Sequence, residues 1–127
     1  MACSICVVIF SVLVFNYVQH VHTDEESKYN HARNFVGLIN PMLFNNGFHT
    51  IHHESPGIHW SETPAAQKKI QNLIDPSLNE RSFWWYILRV YFLAPFHSRF
   101  GTVSMRLRRI QAKAGVAKAA GVSQESV

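Results

Sequence analysis

The sequence predicts an all-α fold of membrane-associated helices, with one N-terminal transmembrane helix and amphipathic or interfacial helices after it. Three observations support this prediction. The 127-residue chain is 47% hydrophobic and only 16% charged, whereas about 25% of the residues of ordinary soluble domains are charged. Its opening segment, Met1 to Val18, carries no charge. Proline and capping signals divide the remainder into short helical segments, and strand signals are sparse.

The uncharged segment Met1 to Val18 has the length of a membrane helix. Eighteen residues at a rise of about 1.5 Å each nearly cross a hydrocarbon core of about 30 Å. A signal peptide would carry a basic start and a small-residue cleavage pattern, and neither is present. We expect the helix to end near His20 to Thr23, and Cys3 and Cys6 to be small apolar residues within it. Because the chain begins inside apolar sequence, we also expect further protein upstream.

Short helices are predicted after the polar stretch "HTDEESKYNHAR". Asn40-Pro41 has the pattern of an N-cap followed by proline at the first helical position, and it predicts a helix that ends before Pro56-Gly57. Thr63-Pro64 repeats the pattern and predicts a polar surface helix that ends at Asp75-Pro76. The segment "SLNE", Ser77 to Glu80, matches a capping box ahead of the next apolar run.

That apolar run, "RSFWWYILRVYFLAPF", is rich in aromatic residues and is interrupted by Arg89. Trp and Tyr side chains favour the level of the lipid headgroups, so the run is typical of an interfacial helix. A tilted short span and a buried core helix remain as alternatives. We assign residues 1–96 to one domain and residues 97–127 to a basic, Ala/Gly-rich tail that forms a weak helix fading into disorder.

The net charge of +4 comes mainly from this tail. Its basic residues outnumber the single acidic one, Glu125. A basic block beside apolar segments usually faces anionic cytoplasmic lipid. No nucleic-acid-binding module is recognisable, so we expect membrane lipid and not nucleic acid as a partner. The chain is therefore expected in a membrane, with its tail on the cytoplasmic side.

Histidines are the candidate functional residues. His49, His52 and His53 lie at i, i+3 and i+4, a spacing that places three imidazoles on one side of a helix. Asn16 and His20 lie at i, i+4 at the membrane-water end of the first helix, where ionisable groups often mark function. Such thiolate-free sets suit iron, copper, zinc or nickel, and the ligand types do not choose among these metals. A chance cluster is the alternative.

At these residues the chain resembles the membrane fatty acid desaturase/hydroxylase superfamily. "NNGFHTIHHESPGIHWSETP" contains the last histidine box of that family, H-x-x-H-H, and "NYVQH" resembles its N-x-x-x-H element. The resemblance, over about Val7 to Phe96, implies a desaturase-type helical fold and a di-iron (Fe) centre. It implies iron ligation by His20, His49, His52 and His53, and by Asn16 through water.

The same resemblance suggests no ligand role for the remaining histidines. His59 is expected to position the site or pack beside Trp60, His22 has no clear counterpart, and His31 and His97 are expected at the surface. The chemistry implied is O2-dependent insertion of a double bond into a fatty acyl chain, with electrons from a ferredoxin- or cytochrome-type donor. The histidine site would then lie on the cytoplasmic side of the membrane.

Two earlier histidine boxes of the family, H-x-x-x-H and H-x-x-H-H, do not occur before Asn16. We therefore expect a fragment of the desaturase-type fold, namely the C-terminal part of such an enzyme, whose other iron ligands lie upstream. A lipid or alkane hydroxylase of the same superfamily is one alternative. A non-catalytic membrane remnant that binds metal weakly is another. A soluble zinc protein conflicts with the uncharged N-terminal segment.

Overall fold

A computed structural model describes the backbone of residues 2–124 and the side chains of residues 3–117. Helices hold 60% of the residues and strands 3%, which confirms the all-α prediction. Within the described range the α-helices are α1 (Ala2–His20), α2 (Ile39–Met42), α3 (His49–Glu54), α4 (Thr63–Ile70), α5 (Phe83–Ile87) and α6 (Met105–Gln124). Leu88–Leu93 continues α5 as a π-helix, and short 3₁₀ turns occupy Gln71–Leu73, Pro76–Leu78 and Ser98–Phe100.

A two-residue parallel pairing ties the middle of the chain together. Strand β1 (Asn34–Phe35) pairs with β2 (Asn79–Glu80), so that Asn34 lies opposite Asn79 and Phe35 opposite Glu80. The pairing is too short to form a sheet that could carry a core. Its effect is to fix the segment after α1 against the segment that leads into α5.

Helix α1 is long and apolar enough to cross a membrane by its length and composition. Its apolar side chains between residues 3 and 13 are exposed, whereas Val18 and Gln19 near its end are buried. Gln19 anchors this end, because its side-chain amide donates to the carbonyl of Asn46 at 3.0 Å and its carbonyl accepts from the Arg33 amide at 2.7 Å. The predicted end near His20 is confirmed.

The single helix predicted between Pro41 and Pro56 is wrong, because a turn divides it into α2 and α3. Phe44 and Asn45 adopt left-handed backbone conformations, with φ of 51° and 58°, which no α-helix continues through. Asn40 does not cap the helix; its side-chain oxygen accepts from the Gly47 amide at 2.7 Å. A Cβ at Gly47 would lie 2.3 Å from the backbone oxygen of Phe35 and 2.6 Å from the Asn40 side-chain oxygen, so only glycine fits the turn.

The capping predictions for the two later helices also need correction. Thr63 is the first residue of α4, not its cap, and α4 gives way to a 3₁₀ turn after Ile70. The segment Ser77–Glu80 is not a capping box, because Ser82 caps α5 by accepting the Trp85 amide at 3.2 Å. Glu80 instead forms ion pairs with Arg33 and Arg89, which hold its half-buried carboxylate in place.

The core lies where α1, β1 and α5 meet. Val18, Phe35, Phe83 and Tyr86 form its buried cluster. The fully buried guanidinium of Arg33 lies 4.4 Å from the centre of the Tyr86 ring. The aromatic run therefore has one buried face, as predicted by the alternative in which it is a buried core helix. Its other face is open, since Trp84 is 70% exposed; the interfacial location of that face stays a prediction.

Helix α6 is longer than the weak helix expected for the tail and is attached to the rest of the chain at its start. Met105 is buried with Ile74 and Leu78, and its amide donates to the His22 carbonyl at 3.1 Å. Arg109 binds Asp24 at 2.6 Å. Glu125 and the disorder expected at the end of the tail lie outside the described residues, and the division at residue 97 stays a prediction.

Candidate metal centre

The site is assembled from two helix segments that are far apart in the sequence. His20 is the last residue of α1, and His49 and His53 lie one turn apart on α3. A buried amide fixes α3, because the side-chain oxygen of Asn34 accepts the Thr50 amide at 2.9 Å and its nitrogen donates to the Thr50 hydroxyl at 3.0 Å. The side chain next to His49 is thereby held against β1.

The Nε2 atoms of His20, His49 and His53 converge on one point. His49 and His20 lie 3.0 Å apart, His53 and His49 3.1 Å, and His53 and His20 3.3 Å, all measured between Nε2 atoms. Imidazole nitrogens bind first-row metals at about 2.1 Å, so neighbouring ligand atoms on one ion lie about 3.0–3.4 Å apart for angles between octahedral and tetrahedral. The observed separations fit a single metal ion.

Protonation favours the same interpretation. Burial, followed by the neighbouring rings of His53 and His20, lowers the pKa of His49 from 6.5 to about 3. Burial, followed by the neighbouring rings of His20, His31 and His52, lowers the pKa of His53. In a neutral imidazole each nitrogen is either a hydrogen-bond donor or an acceptor. Three Nε2 atoms that all contact one another therefore cannot form a donor–acceptor pair at every contact. A bound cation would accept all three lone pairs.

Two of the predicted site residues lie outside this cluster. His52 is exposed, and its ring stacks on that of His49 with 5.9 Å between ring centres. Asn16 is also exposed, one helical turn before His20. The helix geometry explains the difference, because His49 and His53 at i, i+4 can converge on His20 while His52 projects from a different angle of the same short helix. The ligand roles of His52 and Asn16 stay predictions.

His31 is the residue that sequence reasoning placed wrongly. It was expected at the surface, yet it is half-buried and its ring lies 5.3 Å from that of His53. Its Nδ1 bonds to the Ser27 carbonyl at 3.2 Å, and its Nε2 is buried without a hydrogen-bond partner among the described residues. No motif spacing connects His31 to the box, so only the fold could reveal this proximity.

The other histidines contribute no atom to the cluster. His59 packs beside Trp60 with 5.5 Å between ring centres, which agrees with the second of the two roles expected for it. His97 is exposed, as predicted, and its Nδ1 accepts the Arg99 amide. His22 is also exposed, and a left-handed φ of 61° marks the sharp turn that follows α1.

Fold and site together define a helical protein whose apolar N-terminal helix ends at a cluster of three histidines that could hold a metal ion. The family model described as fatty acid desaturase matches residues 1–84. The chain belongs to the fatty acid desaturase family, as its histidine motifs predicted, and both membrane character and an oxidoreductase type of activity follow from that membership. Comparisons with curated proteins and with solved structures found no match.

Proposed function

We propose that this chain is the metal-binding C-terminal portion of a membrane fatty acyl desaturase. The observation that carries the proposal is the convergence of the Nε2 atoms of His20, His49 and His53 inside the region that matches the family. Histidine nitrogen suits iron among other metals, and the family favours iron. Bound iron would supply the O2 chemistry that removes hydrogen from unactivated acyl C–H bonds.

The residues of this chain would hold and shape the metal site. His49, buried at 4% exposure, provides the most shielded donor, and its depressed pKa keeps its lone pair free of protons at neutral pH. His20 ties the site to the end of α1, at the depth where an acyl chain would leave the membrane. His52 and Asn16, both exposed beside this cluster, are proposed as ligands on its open side.

A two-iron centre requires more donors than the three nitrogens that converge here. We therefore propose that the second iron and the remaining ligands are completed by a polypeptide segment with the two earlier histidine boxes. The acyl substrate would lie along the apolar surface of α1, and electrons would come from a ferredoxin- or cytochrome-type donor. We place the histidine site and α6 on the cytoplasmic side, since α6 carries Arg106, Arg108 and Arg109.

Two alternatives rest on the same donor set. A hydroxylase would use the same metal site and would differ in the fate of the activated acyl chain. A non-catalytic remnant would bind one ion weakly, and the three-donor cluster favours this alternative for the chain by itself.

Metal content and product analysis test the proposal together. The full chain is purified in detergent, alone and after co-expression with a desaturase segment that carries the two earlier boxes, and iron is measured by elemental analysis. We expect about two irons per chain and unsaturated fatty acids only after co-expression, and loss of both in the variant His49→Ala. Hydroxylated fatty acids would favour the hydroxylase. No iron under either condition would overturn the proposal.

A further inference from the structure

His31 lies at the edge of the histidine cluster without belonging to its converging ligand atoms. The carbonyl of Ser27 can only accept a hydrogen bond, so the 3.2 Å contact to His31 Nδ1 requires the proton to be on Nδ1. A neutral ring carries only one proton, so Nε2 is then unprotonated and can accept a hydrogen bond. That Nε2 is buried and has no partner among the described residues, and leaving a buried acceptor without a partner destabilises the fold.

His53 has the complementary need. Its contacts to His20 and His49 are both made through Nε2, so a metal at the cluster would take the Nε2 lone pair and leave the ring proton on Nδ1. Metal-binding histidines almost always donate this second N–H to an acceptor, which fixes the tautomer and the ring orientation. His53 is exposed on a helix of six residues, so its ring needs such support.

The two rings are close enough to satisfy each other. Their centres lie 5.3 Å apart with the planes at 78°. His20 and His49, whose Nε2 atoms are 3.0 Å apart, have ring centres 4.9 Å apart; for His20 and His53 the values are 3.3 Å and 5.0 Å. A small reorientation of the exposed His53 ring would therefore bring its Nδ1 within hydrogen-bonding distance of His31.

We propose that His31 is the positioning residue of this centre: its Nε2 accepts a hydrogen bond from His53 Nδ1 and so orients His53 as a ligand. The contacts then run in order from the Ser27 carbonyl to the His31 ring, from the His31 ring to the His53 ring, and from the His53 ring to the metal. This inference rests on the metal centre proposed above, and it adds an outer residue that lies outside both histidine motifs.

Substitutions at His31 can separate hydrogen bonding from packing. Phenylalanine keeps a flat ring beside His53 but has no acceptor, whereas the side-chain oxygen of glutamine is an acceptor. The full chain in detergent is titrated with Zn²⁺ against a competing chelator. We expect His31→Phe and His31→Ala to bind Zn²⁺ about 10–100-fold more weakly, and His31→Gln to bind within a few-fold of the unaltered chain. His97→Ala, which removes an exposed histidine, is the matched control and should leave Zn²⁺ binding unchanged.

NMR of the ¹⁵N-histidine-labelled, Zn²⁺-loaded chain gives a second readout that a packing role would not change. The Nδ1 proton of His53, assigned by its absence in His53→Ala, should be protected from exchange and should lose that protection in His31→Phe. Zn²⁺ affinity of His31→Phe equal to that of the unaltered chain, or an unprotected His53 proton, would overturn the role of His31 alone. Failure of the unaltered chain to bind Zn²⁺ would overturn the metal centre itself.

Discussion

His49 shows how one side chain acquires its properties from its position on a short helix. The sequence places it first in the H-x-x-H-H box, yet nothing in that pattern distinguishes it from His52. In the fold His49 is 4% exposed, its Nε2 contacts those of His20 and His53, and burial lowers its pKa to about 3. His52, three residues later, is exposed. The two histidines should therefore contribute differently to metal binding.

Alanine substitutions at these two positions test that difference. Removing His49 deletes one of three converging donors, and we expect Zn²⁺ affinity of the chain to fall by more than the roughly 10–100-fold that loss of an outer residue costs. His52→Ala should leave this single-ion affinity within a few-fold, because its ring lies outside the cluster. Competitive titration measures both affinities.

The prediction for His52 changes in the completed enzyme. There His52→Ala should abolish desaturation without unfolding the protein, because His52 is proposed as an iron ligand on the open side of the cluster. Activity is followed by fatty acid analysis and folding by circular dichroism. A His52→Ala enzyme that continues to desaturate would remove His52 from the ligand set.

At the scale of elements, the contacts of α6 are the clearest departure from a separate tail. Arg109 in the second turn of α6 binds Asp24 at 2.6 Å and Glu26 at 2.7 Å, both in the segment that follows His20. The hydrogen bond from Arg109 lowers the pKa of Asp24 below its usual 3.8, against the opposing effect of burial. Helix α6 therefore clamps the loop that directly follows His20, one of the three clustered histidines.

Acid titration of stability tests this clamp. Since the pKa of Asp24 is lower in the folded state than in the unfolded state, its stabilising contribution is present above pH 3.8 and is lost as the pH falls through the folded value. We expect Asp24→Asn to lower the thermal unfolding midpoint by several degrees at pH 7, and the difference from the unaltered chain to shrink below about pH 4. Glu25→Gln, an exposed neighbour, is the control. A difference that does not vary with pH would contradict the ion pair.

At the scale of the whole molecule, two exposed apolar surfaces stand out. Most of α1 is uncovered, with Phe10 at 68% exposure, and the outer face of the aromatic helix carries Trp84 at 70% and Phe92 at 61%. Water-exposed apolar area of this size is unfavourable for a soluble monomer. A bilayer that receives α1 and places Trp84 at headgroup depth would cover both surfaces.

Fluorescence quenching measures the depth of Trp84. Phenylalanine at Trp60 and Trp85 leaves Trp84 as the single tryptophan, and the chain is reconstituted into vesicles whose lipids carry bromine at shallow or deep acyl positions. We expect stronger quenching by the shallow bromines, as for an interfacial ring. The matched variant that keeps only Trp60 reports the histidine side of the protein and should be quenched weakly. Strongest quenching of Trp84 by deep bromines would indicate a membrane span instead.

The sequence by itself determined the features that depend on local composition. The length of α1, the predominance of helix, the family, and the identity of the histidines all follow from residues that are neighbours in the chain. Local signals failed where distant contacts compete with them. The helix predicted after Pro41 breaks at Phe44 and Asn45 because Gly47 and Asn40 close a turn, and the capping box at Ser77 is lost because Glu80 pairs with Arg33 and Arg89.

Only the tertiary structure decided which histidines meet. The spacing of the box places His49, His52 and His53 near one side of a helix, but it contains no information about the direction of His20, which is 29 residues from His49. The packing of α1, β1 and α3, fixed by Gln19, Asn34 and Thr50, selects His49 and His53 and brings His31 beside them. The physical reason is that a metal site requires atoms within about 3–4 Å of one another, and such distances between remote segments are set by the packing of the core, not by the motif.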